Sequence, residues 1–185
     1  MPEPDELSLF VRRLEATAAP YMVTGATAAI FYGQPRVTND LDVVLSLDDA
    51  GRASLLLAFP ESEFYVPPES FIRTEQARSQ RGHFKRIHFE SGYKADIYLA
   101  GKDPLHAWAL PLRRSHRWTE ALAIALAPPE YVVLLKLEFY REDRSTEHVT
   151  DITAIREVTV LDETMMQPWL ERQGLVTLWH KVISR

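Results

Sequence analysis

Val23-Thr-Gly-Ala-Thr-Ala-Ala-Ile-Phe-Tyr-Gly-Gln-Pro-Arg-Val-Thr-Asn-Asp-Leu-Asp-Val-Val-Leu45 reads as the end of a strand, a tight turn at Thr24-Gly25, a short helix and a second strand. The second strand opens with two carboxylates, Asp40 and Asp42. Side chains alternate across a strand, so these two share a face while Leu41, Val43 and Leu45 point into a core. Adjacent carboxylates repel. They are at ease when fully solvated or when a cation sits between them, and hard divalent cations such as Mg2+ favour such oxygen ligands together with phosphates and water. Gly25 lets the backbone approach a ligand closely, and the helix start behind it is a natural anion site. The alternative is a solvated Asp-x-Asp at the end of a strand.

The chain of 185 residues suits one compact domain or a domain with a small helical lobe. It is 46% hydrophobic and 25% charged, the composition of a globular protein. A net charge of −5 argues against a broadly basic nucleic-acid surface, though not against a local one. The absence of cysteine excludes disulfides, thiolate metal sites and cysteine nucleophiles, and fits a cytoplasmic location. Met1-Pro-Glu-Pro-Asp5 has no apolar signal core, and no apolar run approaches the roughly 20 residues that span a bilayer, so no membrane association is expected.

Helical spacing of Leu7, Phe10, Val11 and Leu14 predicts a helix over about 5–18, ended before Pro20. A strand follows at Tyr21–Val23, and helices are expected over 26–32, over 50–59 behind a cap at Asp48-Asp49, and from Pro67 to about Ser79. Phe64–Val66 reads as a strand. Phe84–Phe89 and Tyr93–Leu99 flank Glu90-Ser91-Gly92 and read as a hairpin. In its second strand Lys94, Asp96 and Tyr98 share one face and Ala95, Ile97 and Leu99 the other. Asp96 is either a solvated sheet residue or a third ligand beside Asp40 and Asp42. Spacing alone does not make the two strands neighbours.

Asp103-Pro104 caps a short helix through Trp108. Arg113, Arg114, His116 and Arg117 form a basic run, read as a solvated face or a local phosphate-contacting patch. Leu122–Ala127 is a strand, and from Pro128 onward the chain is helical. Lys136 is the one basic group in an apolar run; it either snorkels to water or projects into a cleft. A further helix, capped by Ser145 or Thr146, carries Val149, Ile152 and Ile155 with Asp151 expected to face outward, and two helices close the chain over 162–173 and from Leu175. His83 and His88 fall on opposite faces of a strand and make a poor chelating pair. Trp169 and Trp179 read as core. No P-loop, dinucleotide fingerprint or nucleophile elbow is present.

Gly25-Ala26 followed by Arg36-Val-Thr-Asn-Asp40-Leu-Asp42-Val, with Tyr93-Lys-Ala-Asp96-Ile-Tyr98 further on, resembles the signature of the polymerase-beta-type nucleotidyltransferase superfamily. More narrowly, four pieces resemble the AbiEii-like branch, the toxin half of type IV toxin–antitoxin systems. They are Tyr32-Gly-Gln-Pro-Arg-Val-Thr-Asn-Asp40, the hairpin from Phe84 to Asp96, Pro129-Glu-Tyr-Val-Val-Leu-Leu-Lys136-Leu, and Ser145-Thr-Glu-His148-Val-Thr-Asp151-Ile. The resemblance covers roughly residues 20–157. It implies an α+β nucleotidyltransferase fold: a mixed central β-sheet flanked by helices, with a core over 1–127 and a helical C-terminal lobe over 128–185 closing a nucleotide cleft.

The same resemblance implies a metal-dependent enzyme that moves an NMP from an NTP to an acceptor hydroxyl, on RNA such as tRNA or on a protein. Asp40, Asp42 and Asp96 would hold two Mg2+ ions, or Mn2+. Thr24, Gly25, Ala26, Arg36 and Thr38 would meet the nucleotide, Lys136 would neutralise its phosphates, and Asp151 would orient Lys136 or the acceptor. A cognate antitoxin protein is an implied partner. The sequence departs from the family pattern at one point: Ala26 occupies the position of a second Gly or a Ser, which removes a phosphate-touching hydroxyl. A catalytically weak protein that binds nucleotide or a partner is therefore one alternative, and a small-molecule (antibiotic) nucleotidyltransferase is another.

Overall fold

A computed structural model of the chain describes residues 4–79 and 81–184; Met1–Glu3 of the acidic N-terminal stretch and Arg185 at the end of the last expected helix lie outside them. In chain order the elements are α1 (Pro4–Ala16), β1 (Tyr21–Thr24), α2 (Gly25–Tyr32), β2 (Asp40–Leu45), α3 (Asp49–Ala58), β3 (Phe64–Tyr65), α4 (Glu69–Ala77), β4 (His83–His88) and β5 (Lys94–Leu99). Then come α5 (Pro104–Ala109), a 3-10 turn (Leu110–Leu112), β6 (Arg114–Thr119), β7 (Leu122–Leu126), α6 (Pro129–Asp143), α7 (Thr146–Val158), α8 (Glu163–Arg172) and α9 (Val176–Ile183).

The strands form one mixed sheet in the order β3-β4-β5-β2-β1-β7-β6. Strand β2 lies at its centre because Leu41, Val43, Val44 and Leu45 are wholly buried and need cover on both faces. It runs antiparallel to β1 and parallel to β5. The hairpin expected after Phe84 is β4–β5, antiparallel and in register from His83↔Tyr98 to Ile87↔Lys94.

The two faces of the sheet differ. Ala95 and Ile97 of β5, with Tyr93 just before it, join an aromatic core in which Phe10 of α1 packs against Phe59, Phe64 and Tyr93. Arg86 of β4 is fully buried on that side, with its guanidinium over Phe59 and Phe84; burial pushes its pKa down to about 10. The opposite face carries Asp40, Asp42 and Asp96 and is covered by α2, α6 and α7. Helix α2 is short and rich in alanine, so α6 and α7 pack close to it: a Cβ on Gly33 would lie 3.0 Å from the backbone of Ala154 and Ile155. The Tyr32 hydroxyl donates to the Ala127 carbonyl at 2.8 Å, and Thr159 donates to the Tyr32 carbonyl at 2.6 Å.

The basic run lies on a strand that the sequence reading does not assign: Arg114–Thr119 forms the edge strand β6, held by the hairpin with β7, with Arg114 and Arg117 exposed. One sequence expectation is corrected. Asp151 does not face outward. It is 6% exposed, because a residue four before the buried Ile155 lies on the same stripe of the helix. Trp179 is buried as expected, and Trp169 is partly buried against Trp108 at 5.4 Å.

Gly25 fixes the turn between β1 and α2. Its φ is +60°, and a Cβ there would fall 1.8 Å from the Asp42 Oδ2. Gly92, in the hairpin turn, has φ +69°, but a Cβ there would meet nothing within 4 Å. Urea unfolding should therefore show Gly25→Ala losing about 2 kcal/mol or more, from conformation and overlap together, and Gly92→Ala about 1 kcal/mol from conformation alone. Equal losses would mean that Asp42 yields freely.

Candidate functional site

One row of residues crosses four adjacent strands. Thr24 of β1 lies opposite Asp42 of β2, Asp42 opposite Asp96 of β5, and Asp96 opposite Lys85 of β4. Register partners point to the same face, so two carboxylates stand side by side with a third, Asp40, two residues away. Each is supported differently. The Thr38 hydroxyl donates to Asp40 Oδ1 at 3.0 Å. The Ala26 N–H at the start of α2 and the Tyr98 hydroxyl bond to Asp42. Asp96 is held by Lys85, whose Nζ is 2.8 Å from Oδ1 and 3.0 Å from Oδ2.

Asp42 bears the cost of this crowding. Burial, then the charges of Asp40 and Asp96, push its carboxyl up to about 6, against the smaller opposing pulls of Lys136 and the Ala26 N–H. Burial and the same carboxylates drive the Tyr98 phenol upward, so Tyr98 stays protonated and donates.

The facing wall comes from the helical segment. Lys136 of α6, 6% exposed, reaches Asp151 Oδ2 at 2.6 Å. Arg36, in the loop before β2, grips the same carboxylate from the other side, with Nε 3.0 Å from Oδ1 and Nη2 2.9 Å from Oδ2. Burial alone would raise the Asp151 carboxyl, but the hydrogen bonds and charges of Arg36 and Lys136 outweigh it and hold it below its usual value. Its hydrogen bond in turn raises Arg36. Glu147, at the cavity rim with Oε1 3.9 Å from Arg36 Nη1, is a second anion, so this wall sets two cations against two carboxylates, with Lys136 and Arg36 both gathered on Asp151.

Between the walls lies a cavity of about 410 Å³. It is lined by Thr24, Gly25, Ala26, Arg36, Thr38, Asp40, Asp42, Lys136 and Asp151, all singled out in the sequence. Asp96 is not on the lining; it sits one strand behind Asp42. Tyr98, Phe139 and His148 also line the cavity; the sequence reading gives none of them a role there, although Tyr98 and His148 fall inside its quoted motifs. Tyr98 follows Asp96 by two positions on the same strand face, and His148 precedes Asp151 by three on a helix, so both spacings were available as signals. The Phe139 and His148 rings lie 5.7 Å apart. The basic strand β6 lies elsewhere: Arg114 and His116 line a separate cavity with Tyr32 and Glu130. The Thr24 hydroxyl is buried and has no hydrogen-bond partner among the described residues.

Among the described residues, no three His, Asp or Glu side chains converge as a preformed metal cage. The donor set nevertheless suits a hard divalent cation. Mg2+ is commonly held by one or two carboxylates completed by substrate phosphates and water. The Asp40–Asp42 pair offers those oxygens side by side on the cavity lining.

No protein-family profile and no curated protein matches the chain. Solved structures do match it. A nucleotidyltransferase-like antigenic protein from Paracoccidioides brasiliensis aligns over 96% of this chain and 91% of its own, with a TM-score of 0.60 and 17% identity. The antibiotic-resistance factor ANT(2'')-Ia aligns over 96% and 97%, with a TM-score of 0.55 and 13% identity. At such identities the likeness is one of fold: the chain has the fold of nucleotidyltransferase-like proteins.

Asp42 also sets a pH dependence. Its folded-state value lies above its ordinary 3.8, so the folded chain binds the extra proton between about pH 4 and 6. The stability tied to that proton is full below pH 4 and is lost as pH rises through 6, an effect of up to about 3 kcal/mol. In chelator, urea unfolding of the wild type should show this decline and Asp42→Asn should flatten it. An unchanged slope in the variant would assign the decline to other groups.

Proposed function

We propose that the chain is a metal-dependent nucleotidyltransferase that moves an NMP from an NTP to an acceptor hydroxyl. The observation that carries this reading is the opposition of two walls: a carboxylate row on the sheet, and across the cavity the cationic side chains of Lys136 and Arg36 held together by Asp151, with the Gly25 turn between them. A nucleoside triphosphate bridged by divalent cations has complementary charge. In the reaction the acceptor oxygen bonds to the α-phosphorus, the bond from that phosphorus to the bridging oxygen breaks, and pyrophosphate leaves. Such transfer is mostly positioning and charge neutralisation.

The residues divide that work. Asp40, Asp42 and Asp96 would hold Mg2+ or Mn2+. A bound ion of this kind supplies charge neutralisation at the phosphates and lowers the pKa of a coordinated hydroxyl. Lys136 and Arg36 meet the departing phosphates, and Asp151 keeps both cations aimed at the cavity. The Thr24 hydroxyl, which has no hydrogen-bond partner among the described residues, would donate to a phosphate oxygen. Thr38 and Tyr98 fix the rotamers of Asp40 and Asp42. Phe139, with Val132 and Leu135 on the same helix, offers the base an apolar wall.

For the acceptor, RNA such as tRNA or a protein follows from the AbiEii-like resemblance, and so does the pairing of a toxin with a cognate antitoxin. A small-molecule acceptor is the second reading. It is favoured by the end-to-end alignment with ANT(2'')-Ia and by the position of the basic run on the far edge of the sheet, away from the cavity. No helix among the described residues is long and apolar enough to cross a membrane.

The deciding assay supplies each alpha-labelled NTP with Mg2+ or Mn2+ to total RNA, total protein and a panel of hydroxyl-bearing antibiotics. Label should enter one acceptor class, and Asp40→Ala or Asp96→Ala should reduce it by about 100-fold or more, the scale of losing one electrostatic group at a reacting centre. Transfer that survives both substitutions would contradict the mechanism. No label and no pyrophosphate release would leave the nucleotide-binding alternative.

A further inference from the structure

Among the described residues, neither Asp40 nor Asp42 has an ion-pair partner, whereas Asp96 has one of its own. Lys85 lies directly across the β4–β5 register from Asp96 and contacts both carboxylate oxygens, at 2.8 and 3.0 Å. The Asp96 side chain is only 13% exposed, so its remaining access is narrow and the ammonium stands in it. Lys85 itself is 49% exposed, and its flexible four-carbon stem can carry the ammonium out to water. Three carboxylates thus divide into an uncompensated pair and a compensated single.

We infer that Lys85 is an internal counter-ion that occupies Asp96 and must be displaced before that carboxylate takes part in binding a second divalent cation. This rests on the metal-dependent reading above. A first ion at Asp40 and Asp42 displaces nothing. A second ion drawing on Asp96 replaces a monovalent ammonium already in place, so it binds more weakly. The full set of carboxylates is assembled only when the added positive charge, or the phosphates that accompany it, outweighs the Lys85 contact. Lys94 provides the internal comparison. It lies opposite Asp40 on the same face, equally cationic, but is exposed and makes no ion pair among the described residues.

Mn2+ binding, followed without nucleotide by electron paramagnetic resonance of the free ion, tests this directly. The wild type should show a tight class, lost in Asp42→Asn, and a weaker class, lost in Asp96→Asn. Lys85→Met should tighten the weaker class roughly five- to tenfold, as an ion pair with one mostly buried partner implies. Lys85→Arg should behave as wild type, and Lys94→Met should change it by less than about twofold, as expected for a solvated charge. In an Asp96→Asn background, Lys85→Met should add nothing. A weaker class untouched by Lys85→Met, or moved equally by Lys94→Met, overturns the inference while leaving the metal site intact. Absence of any Mn2+ class sensitive to Asp42 overturns the metal reading and this inference with it.

Discussion

Asp42 and Asp96 face one another across two adjacent parallel strands, and the surrounding structure is arranged to tolerate that repulsion. A buried carboxylate costs several kcal/mol unless it is paired, hydrogen-bonded or protonated. All three remedies occur here. Asp96 has Lys85. Asp42 has the Ala26 N–H and the Tyr98 hydroxyl, and its carboxyl still rises to about 6. Across the cavity Asp151 shows the reverse imbalance, one carboxylate shared by two cations. The unpaired carboxylates lie on the sheet, and Lys136 and Arg36 face them across the cavity, so a bound metal has oxygen ligands on one side and a polyphosphate has cations to meet on the other.

The fold makes this placement possible. The end of β2 bearing the aspartates stays open while its far end is sealed: Val44, on the Asp42 face, is wholly buried. Helix α2 begins immediately at Gly25 and is built from small residues. The Ala26 N–H in its first turn therefore reaches Asp42, and α6 and α7 come close enough for Lys136 and Asp151 to meet. A side chain at Gly25 would collide with Asp42, which ties the shape of the turn to the presence of the carboxylate. Arg36 links the loop before β2 to α7 and spans 115 positions in sequence to do so.

Much of this is legible in the sequence because local patterns carry it. Alternation places Asp40 and Asp42 on one face and Asp96 with Tyr98 on another, and helical spacing gives α1 and the apolar α6. What local patterns lack is long-range pairing. Nothing local states that β2 and β5 are neighbours, that their register sets Asp42 beside Asp96, or that Lys85 closes the row. Asp151 reads as outward when only its apolar neighbours are counted, and the buried stripe of α7 is wide enough to include a paired carboxylate. Strand β6 is hard to see because its arginines mask the alternation of an edge strand, where charge is tolerated and discourages unwanted pairing.

The central claim is that the cavity between the two charged walls binds a nucleoside triphosphate together with a divalent cation. Calorimetric titration with non-hydrolysable analogues of the four NTPs, in Mg2+ and in chelator, measures this without needing the acceptor. The account predicts saturable binding of at least one analogue that requires Mg2+ and is lost in both Lys136→Met and Asp42→Asn. Binding that persists in those variants, or no binding of any analogue in Mg2+, would contradict it.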